Sequence, residues 1–130
     1  MKNQYFLKDK KAMIYKSVAG KIDQYGRPER DKLYPIAHAP IWCYSSQLSQ
    51  QDTYSAAAYG EKETRYFVFN YYKNIAVYDM ILYRGEWYRI TRVDHKDDYN
   101  GETFIYVQNA VGGWRPSEDQ IQPYNADIWK

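Results

Sequence analysis

Cysteine is almost missing from this 130-residue sequence. Cys43 stands alone, so no disulfide can close within the chain, and paired-cysteine metal and redox motifs are excluded. It lies in the apolar run Ile41-Trp42-Cys43-Tyr44, where a small buried hydrophobe is the expected meaning of a thiol without a positioned histidine. Histidine is nearly as scarce: only His38 and His95 occur, in separate segments. No HExxH, no P-loop and no strand-to-helix nucleophile turn is present, so the motif-bearing enzyme classes have no support and no cofactor is expected. No apolar run approaches the ~20 residues that cross a bilayer. The opening stretch MKNQYFLKDKK sets charges on both sides of a three-residue apolar patch, so a secretory leader is not expected. A soluble protein made in a cytoplasm, with no membrane partner, follows as an expectation. Charge of one sign is also lacking. Eighteen Lys and Arg against sixteen Asp and Glu leave a net +2, and an excess of five positive charges over the first 32 residues is offset by the remainder. That is too little for a domain built to grip nucleic acid by its phosphates.

What the sequence has in quantity is tyrosine, sixteen residues. Tyr is a good strand former, and it also suits surfaces that become half-buried against a partner. The apolar residues alternate in short runs, and almost nowhere do they recur at helical spacing. Residues 1–10 read as a flexible arm, and 11–17 as a first strand. Residues 18–35 hold Gly20, Gly26, Pro28 and Pro35 and read as a long exposed loop turning at Gly26. A second strand runs over 36–45, bent at Pro40, and the polar stretch 46–60 follows it. Residues 61–72 form the strongest strand, with Phe67 and Phe69 on one face and Tyr66, Val68 and Asn70 on the other. Gly85-Glu86, glycine first, predicts a type II′ hairpin joining 80–84 to 87–93. Asn100-Gly101 gives a type I′ signal before a last strand over 102–109. About six short antiparallel strands predict an all-β fold, a small barrel with a long loop between its second and third strands. Residues 11–109 would be the barrel domain. Residues 110–130, carrying Trp114 and Trp129, would be an extended tail packed on the barrel or on a neighbour.

Two constellations invite a chemical reading. His95 with Asp94 and Asp97 resembles a metal cluster. When Gly101 is set as the turn glycine of a calcium loop, however, Lys96 and Val107 fall on the end ligand positions, so both terminal carboxylates are missing. No metal site is expected there. The second is YDMILYRGEWYRITRV, residues 78–93, which sets Arg84, Arg89 and Arg92 among aromatics. Alternation places Arg89 with Trp87 and Thr91 on one face, and Arg92 with Tyr88 and Ile90 unless a bulge intervenes. A single-strand-binding barrel would stack bases on Trp87 and Tyr88, whereas a protein interface would use the arginines as bidentate ion-pair partners.

The ordered set of features resembles a known family. It comprises a strand, then Asp23, Gly26 and Pro28 in a D-x-x-G-x-P loop, then Ile41-Trp42-Cys43-Tyr44, a variable polar stretch, and a strand ending near Tyr71-Tyr72. It closes with Asp79, Ile81, Gly85, Tyr88, Ile90 and Val93 in a D-x-I-x-x-x-G-x-x-Y-x-I-x-x-V motif. Over residues 11–109 this is similar to the head–tail joining (head-closure, stopper) proteins of long-tailed bacteriophages. The resemblance implies a non-enzymatic virion protein of the phage neck, assembled in the host cytoplasm. It implies a barrel that forms a ring, dodecameric in the family, between the portal or adaptor ring and the tail-terminator or tail proteins, around packaged double-stranded DNA. It also implies a channel gate at 46–60, with Ser46, Gln47, Gln50, Gln51, Asp52, Thr53, Tyr54, Ser55 and Tyr59 in the moving loop; a plain surface loop has the same composition. Arg84, Trp87, Arg89, Arg92, Trp114 and Trp129 become interface candidates, because a ring needs two different complementary faces on each subunit. A tail-completion or tail-terminator protein of similar fold is the alternative within the same architecture.

Overall fold

Met13 pairs with Leu82, Ile14 with Ile81 and Tyr15 with Met80, and this contact between distant stretches of the chain closes the molecule. The computed structural model describes residues 7–22, 24–48, 63–70, 74–95, 101–110 and 113–129. Seven strands run through it: β1 Lys10–Val18, β2 Lys32–Pro35, β3 Ile41–Gln47, β4 Arg65–Asn70, β5 Met80–Tyr83, β6 Glu86–Asp94 and β7 Glu102–Asn109. Every pairing is antiparallel, in the order β2-β1-β3-β4-β7-β6-β5, and β5 returns to β1. Six strands therefore close a barrel with β2 as an extra, and the all-β barrel expected from alternation and turn chemistry is the fold observed.

β2 corrects the sequence reading, which placed residues 32–35 in a loop. Between the pairs Ala12↔Ile41 and Tyr15↔Pro35, β1 advances three residues and its partner six. β2 and β3 are thus one interrupted strand along one edge of β1, with the surplus taken up in the bend at 36–40. The Ile36 amide still donates to the Ile14 carbonyl at 2.9 Å. Pro40 has no amide hydrogen to place in a ladder, which is why the bend sits there. Within 18–31 the expected turn is present: Ile22 bridges Pro28 and Gly26 has φ +76°. Asp23 lies outside the described residues.

The β5–β6 hairpin is a second correction. Tyr83 pairs with Glu86, so the two-residue loop is Arg84-Gly85, with glycine second. Both residues are left-handed, φ +50° and +78°, which makes the turn type I′ where II′ had been expected. Gly101 is also left-handed, φ +66°, while Asn100 falls outside the described residues.

The core has two layers. Inside the barrel, Ile14, Cys43, Phe67, Phe69, Ile81, Ile90, Ile105 and Val107 are fully buried. Phe67 meets Tyr83 and Tyr88 edge-on at 5.2 and 6.0 Å. Each such large side chain adds about 1.5–3 kcal/mol of burial. A second layer lies outside the barrel wall, where Tyr15, Met80, Leu82 and Trp87 share the outer face of β1, β5 and β6. The C-terminal segment crosses this side of the molecule. Ile121 bridges Leu33 in parallel, Gln122 donates to the Leu33 carbonyl, and Trp114 stands edge-on against Trp87 at 6.1 Å. Trp129 ends the strap: its indole donates to the Pro35 carbonyl at 2.8 Å and Lys16 lies 4.9 Å over its ring.

Candidate functional site

The described residues hold no group of three or more His, Cys, Asp or Glu side chains arranged to bind a metal. His95 faces the Thr103 hydroxyl at 3.3 Å. Burial pushes the Cys43 thiol up to about 12, so it stays a protonated packing group. Asp79, first residue of the 79–93 motif, is an architectural anion. It is 4% exposed and accepts from the Ser17 amide at 3.1 Å, the Ala76 amide at 2.9 Å and Lys16 at 3.2 Å. It fixes the entry into β5 against the end of β1.

Two outward-facing patches of polar and aromatic side chains stand out on the barrel, and they adjoin on the β6–β7 wall. The first is built across β3, β4, β7 and β6. Tyr44, Tyr66 and Tyr106 form a ladder with ring centroids 5.9 and 6.0 Å apart, and the Arg92 guanidinium lies 3.8 Å over Tyr106. Arg92 reaches this face because of a bulge in β6. Ile90 pairs with Val107 and Arg92 with Tyr106, so Thr91 is the extra residue and Arg92 flips outward. The Thr91 hydroxyl donates to Glu63 at 2.8 Å, with the Tyr106 carbonyl 3.1 Å away as its alternative acceptor, and Arg92 holds the other oxygen of Glu63 at 3.0 Å. Glu63 is only 3% exposed, so bulge, carboxylate and ladder form one rigid unit. Burial first, and then the neighbouring Tyr44, push the Tyr66 phenol up to about 12. Further along β3, Trp42 is 56% exposed with Lys11 4.4 Å over its ring.

The second face lies between the outer layer and the C-terminal strap. It is a groove of about 790 Å³ whose walls include Arg30, Arg89, Arg115 and Trp114. A side pocket of about 230 Å³ runs on toward Gln108 and Ala110. Arg89 lies 5.6 Å over the Tyr78 ring, and Arg115 donates to the Gly85 carbonyl at 3.4 Å.

Of the interface candidates read from sequence, Arg89 and Trp114 meet in the groove. Trp87 lies beneath Trp114 but is only 7% exposed, so it supports that face from below. Arg92 lies outside the groove, one outward position along β6 from Arg89 and over Tyr106; Arg84 caps the hairpin over Tyr83, and Trp129 is docked on its own chain. Tyr88 is as buried as Trp87, so the base-stacking platform proposed for these two residues does not exist. Ser46 and Gln47 end β3, paired with Tyr66 and Arg65, and are not loop residues. Gln50, Gln51, Asp52, Thr53, Tyr54, Ser55 and Tyr59 lie outside the described residues. Sequence reading missed Trp42, Tyr44 and Tyr106 as outward aromatics; strand parity from Cys43 and Val107 carries that signal. It also missed Arg115, which has no periodic context.

Comparison with known proteins then decides the family, since phage head completion proteins match residues 9–108. The chain belongs to that family. Head completion is a structural step in building the phage particle, so the chain is a virion structural protein with a head-closure role. The match runs from the residue before β1 to within one residue of the end of β7, while the strap lies beyond it. Among solved structures, a protein of Shigella flexneri 2a determined in solution is similar at a TM-score of 0.63 and 15% identity, covering 79% of this chain and 93% of that one. At that identity the likeness concerns the fold. No curated protein sequence matches.

Proposed function

We propose that this head completion protein is a ring-forming subunit of the phage neck, lying between the portal or adaptor ring and the tail, with duplex DNA passing through the ring. The observation that carries the reading is the family match across the whole barrel. An outward aromatic patch on one rigid barrel supports it, because a closed ring is made from heterologous contacts between two different patches. The tyrosine ladder with Arg92 supplies one such patch. Tyr and Arg are the residues that interface cores favour. In this reading the segment after Gln47, up to residue 60, is the candidate gate, and assembly takes place in the host cytoplasm. The free protein is a monomer until its platform ring is present.

Electron microscopy of particles with and without the protein tests the proposal. The expected result is a discrete ring at the neck of complete particles, with tailless heads that have lost their DNA when the protein is absent. Particles that lack the protein yet retain DNA and carry tails would refute it. The tail-completion alternative is separated by fractionation, since such a protein purifies with tails and not with filled heads.

A further inference from the structure

We infer that the groove beneath the C-terminal strap is a docking site for an extended acidic peptide segment of a partner protein, one that alternates carboxylates with a bulky apolar side chain. Its polar rim is cationic. Arg30, Arg89 and Arg115 all face it, and among the described residues none of the three is ion-paired with a carboxylate. Their partners are neutral: the Ser117 hydroxyl for Arg30, the Tyr78 ring and the Gln108 side-chain amide for Arg89, and the Gly85 carbonyl for Arg115. The floor is apolar, with Leu33 and Met80 buried beneath it and Trp114 40% exposed beside it. Guanidinium groups around an apolar floor suit carboxylates flanking a hydrophobic anchor, because fork-shaped donors match carboxylates bidentately and the anchor fills the pocket.

Charge decides between a peptide and a nucleic acid. Asp31 also lines the groove, leaving an excess of two positive charges. Two charges match two or three carboxylates, whereas nucleic-acid affinity grows with the number of phosphates neutralised and needs a longer basic track. The strap that supplies Trp114, Arg115 and Gln120 lies beyond the residues matched to the family, so the inference rests on the groove's own geometry and not on the family match.

The test uses the isotopically labelled full chain and three probes: an acetylated hexapeptide alternating Asp and Leu, its Asn–Leu counterpart, and a twelve-nucleotide oligothymidylate. Magnetic resonance follows the Trp114 indole and the arginine side-chain N–H signals. The acidic peptide should shift both saturably and bind at least tenfold more tightly than the neutral one. Arg89→Gln and Arg115→Gln should each weaken it about tenfold, the loss of one charge-assisted hydrogen bond. Lys11→Gln, paired with Trp42 at the far end of β1 and outside the groove lining, should leave it unchanged, and circular dichroism confirms that each variant is folded. The inference is overturned by any of four results. These are the absence of saturable shifts in the groove, equal binding of the two peptides, tighter binding of the oligothymidylate there, or a self-associating protein that Arg89→Gln converts to monomer, which would make a second copy the occupant. None of these results bears on whether the protein sits at the neck, so the two readings fail separately.

Discussion

Asp79 shows how one buried side chain organises a barrel seam. Its carboxylate satisfies two backbone amides and one ammonium at once. Asp79→Ala would take the carboxylate from two backbone amides and leave Lys16 only the Trp129 ring, at a cost of about 2–4 kcal/mol; thermal unfolding should show that loss, while a substitution of exposed Glu86 should not. Cys43 sets the behaviour in alkali. Burial raises its thiol from an ordinary 9.0 to about 12, and the Tyr66 phenol moves from 10.0 to about 12 mainly for the same reason. Between these limits the folded chain keeps protons that the unfolded chain has released. The associated stability is therefore full below pH 9 and drains away as pH rises toward 12. Melting temperature should fall steadily over that range, and Cys43→Ala should flatten the slope. An unchanged slope in the variant would locate the alkaline sensitivity elsewhere.

At the scale of elements, the β5–β6 hairpin and the bulge after Ile90 decide what each face displays. The Arg84-Gly85 turn needs two left-handed residues, and arginine is a poor choice for one of them. Opposite effects follow for neighbouring substitutions. Gly85→Ala should destabilise by about 1–2 kcal/mol, and Arg84→Asn should stabilise by a few tenths, roughly 0.5 kcal/mol; denaturant midpoints measured side by side resolve both. The same hairpin marks how far sequence could be read. Alternation in 65–70 and 102–109 was unambiguous, because Phe67, Phe69, Ile105 and Val107 keep strict period two. The turn was misplaced by one residue because Arg84 does not signal a left-handed conformation. β2 was missed because Lys32–Pro35 is four residues long and is completed only by β1 on one edge and Ile121 on the other. The side taken by Arg92 depended on the bulge, which no local pattern announces. The groove was illegible for a related reason: its walls come from residues near 30, near 80 and near 115, and only the closed chain brings them together.

For the whole molecule, the strap and the barrel contribute separately. All the barrel pairings lie between Lys10 and Asn109, so a chain ending before Trp114 should still fold. It would uncover the outer layer around Leu33 and Trp87. The expected cost is about 2–4 kcal/mol, a melting temperature lower by roughly 10 °C, together with new binding of an apolar dye. A truncated chain that melts where the full one does would mean that the strap lies on the barrel without stabilising it. The seam between β1 and β5 has a further effect, felt while the protein is being made. The ribosome releases Met13 early, but its partner Leu82 emerges only after most of the chain has been translated. Until then the first strand presents a bare hydrogen-bonding edge, and long-range closure of this kind is intrinsically slow. Chains short of that point should therefore be prone to aggregate, and added chaperone should raise the yield of folded protein in a translation reaction.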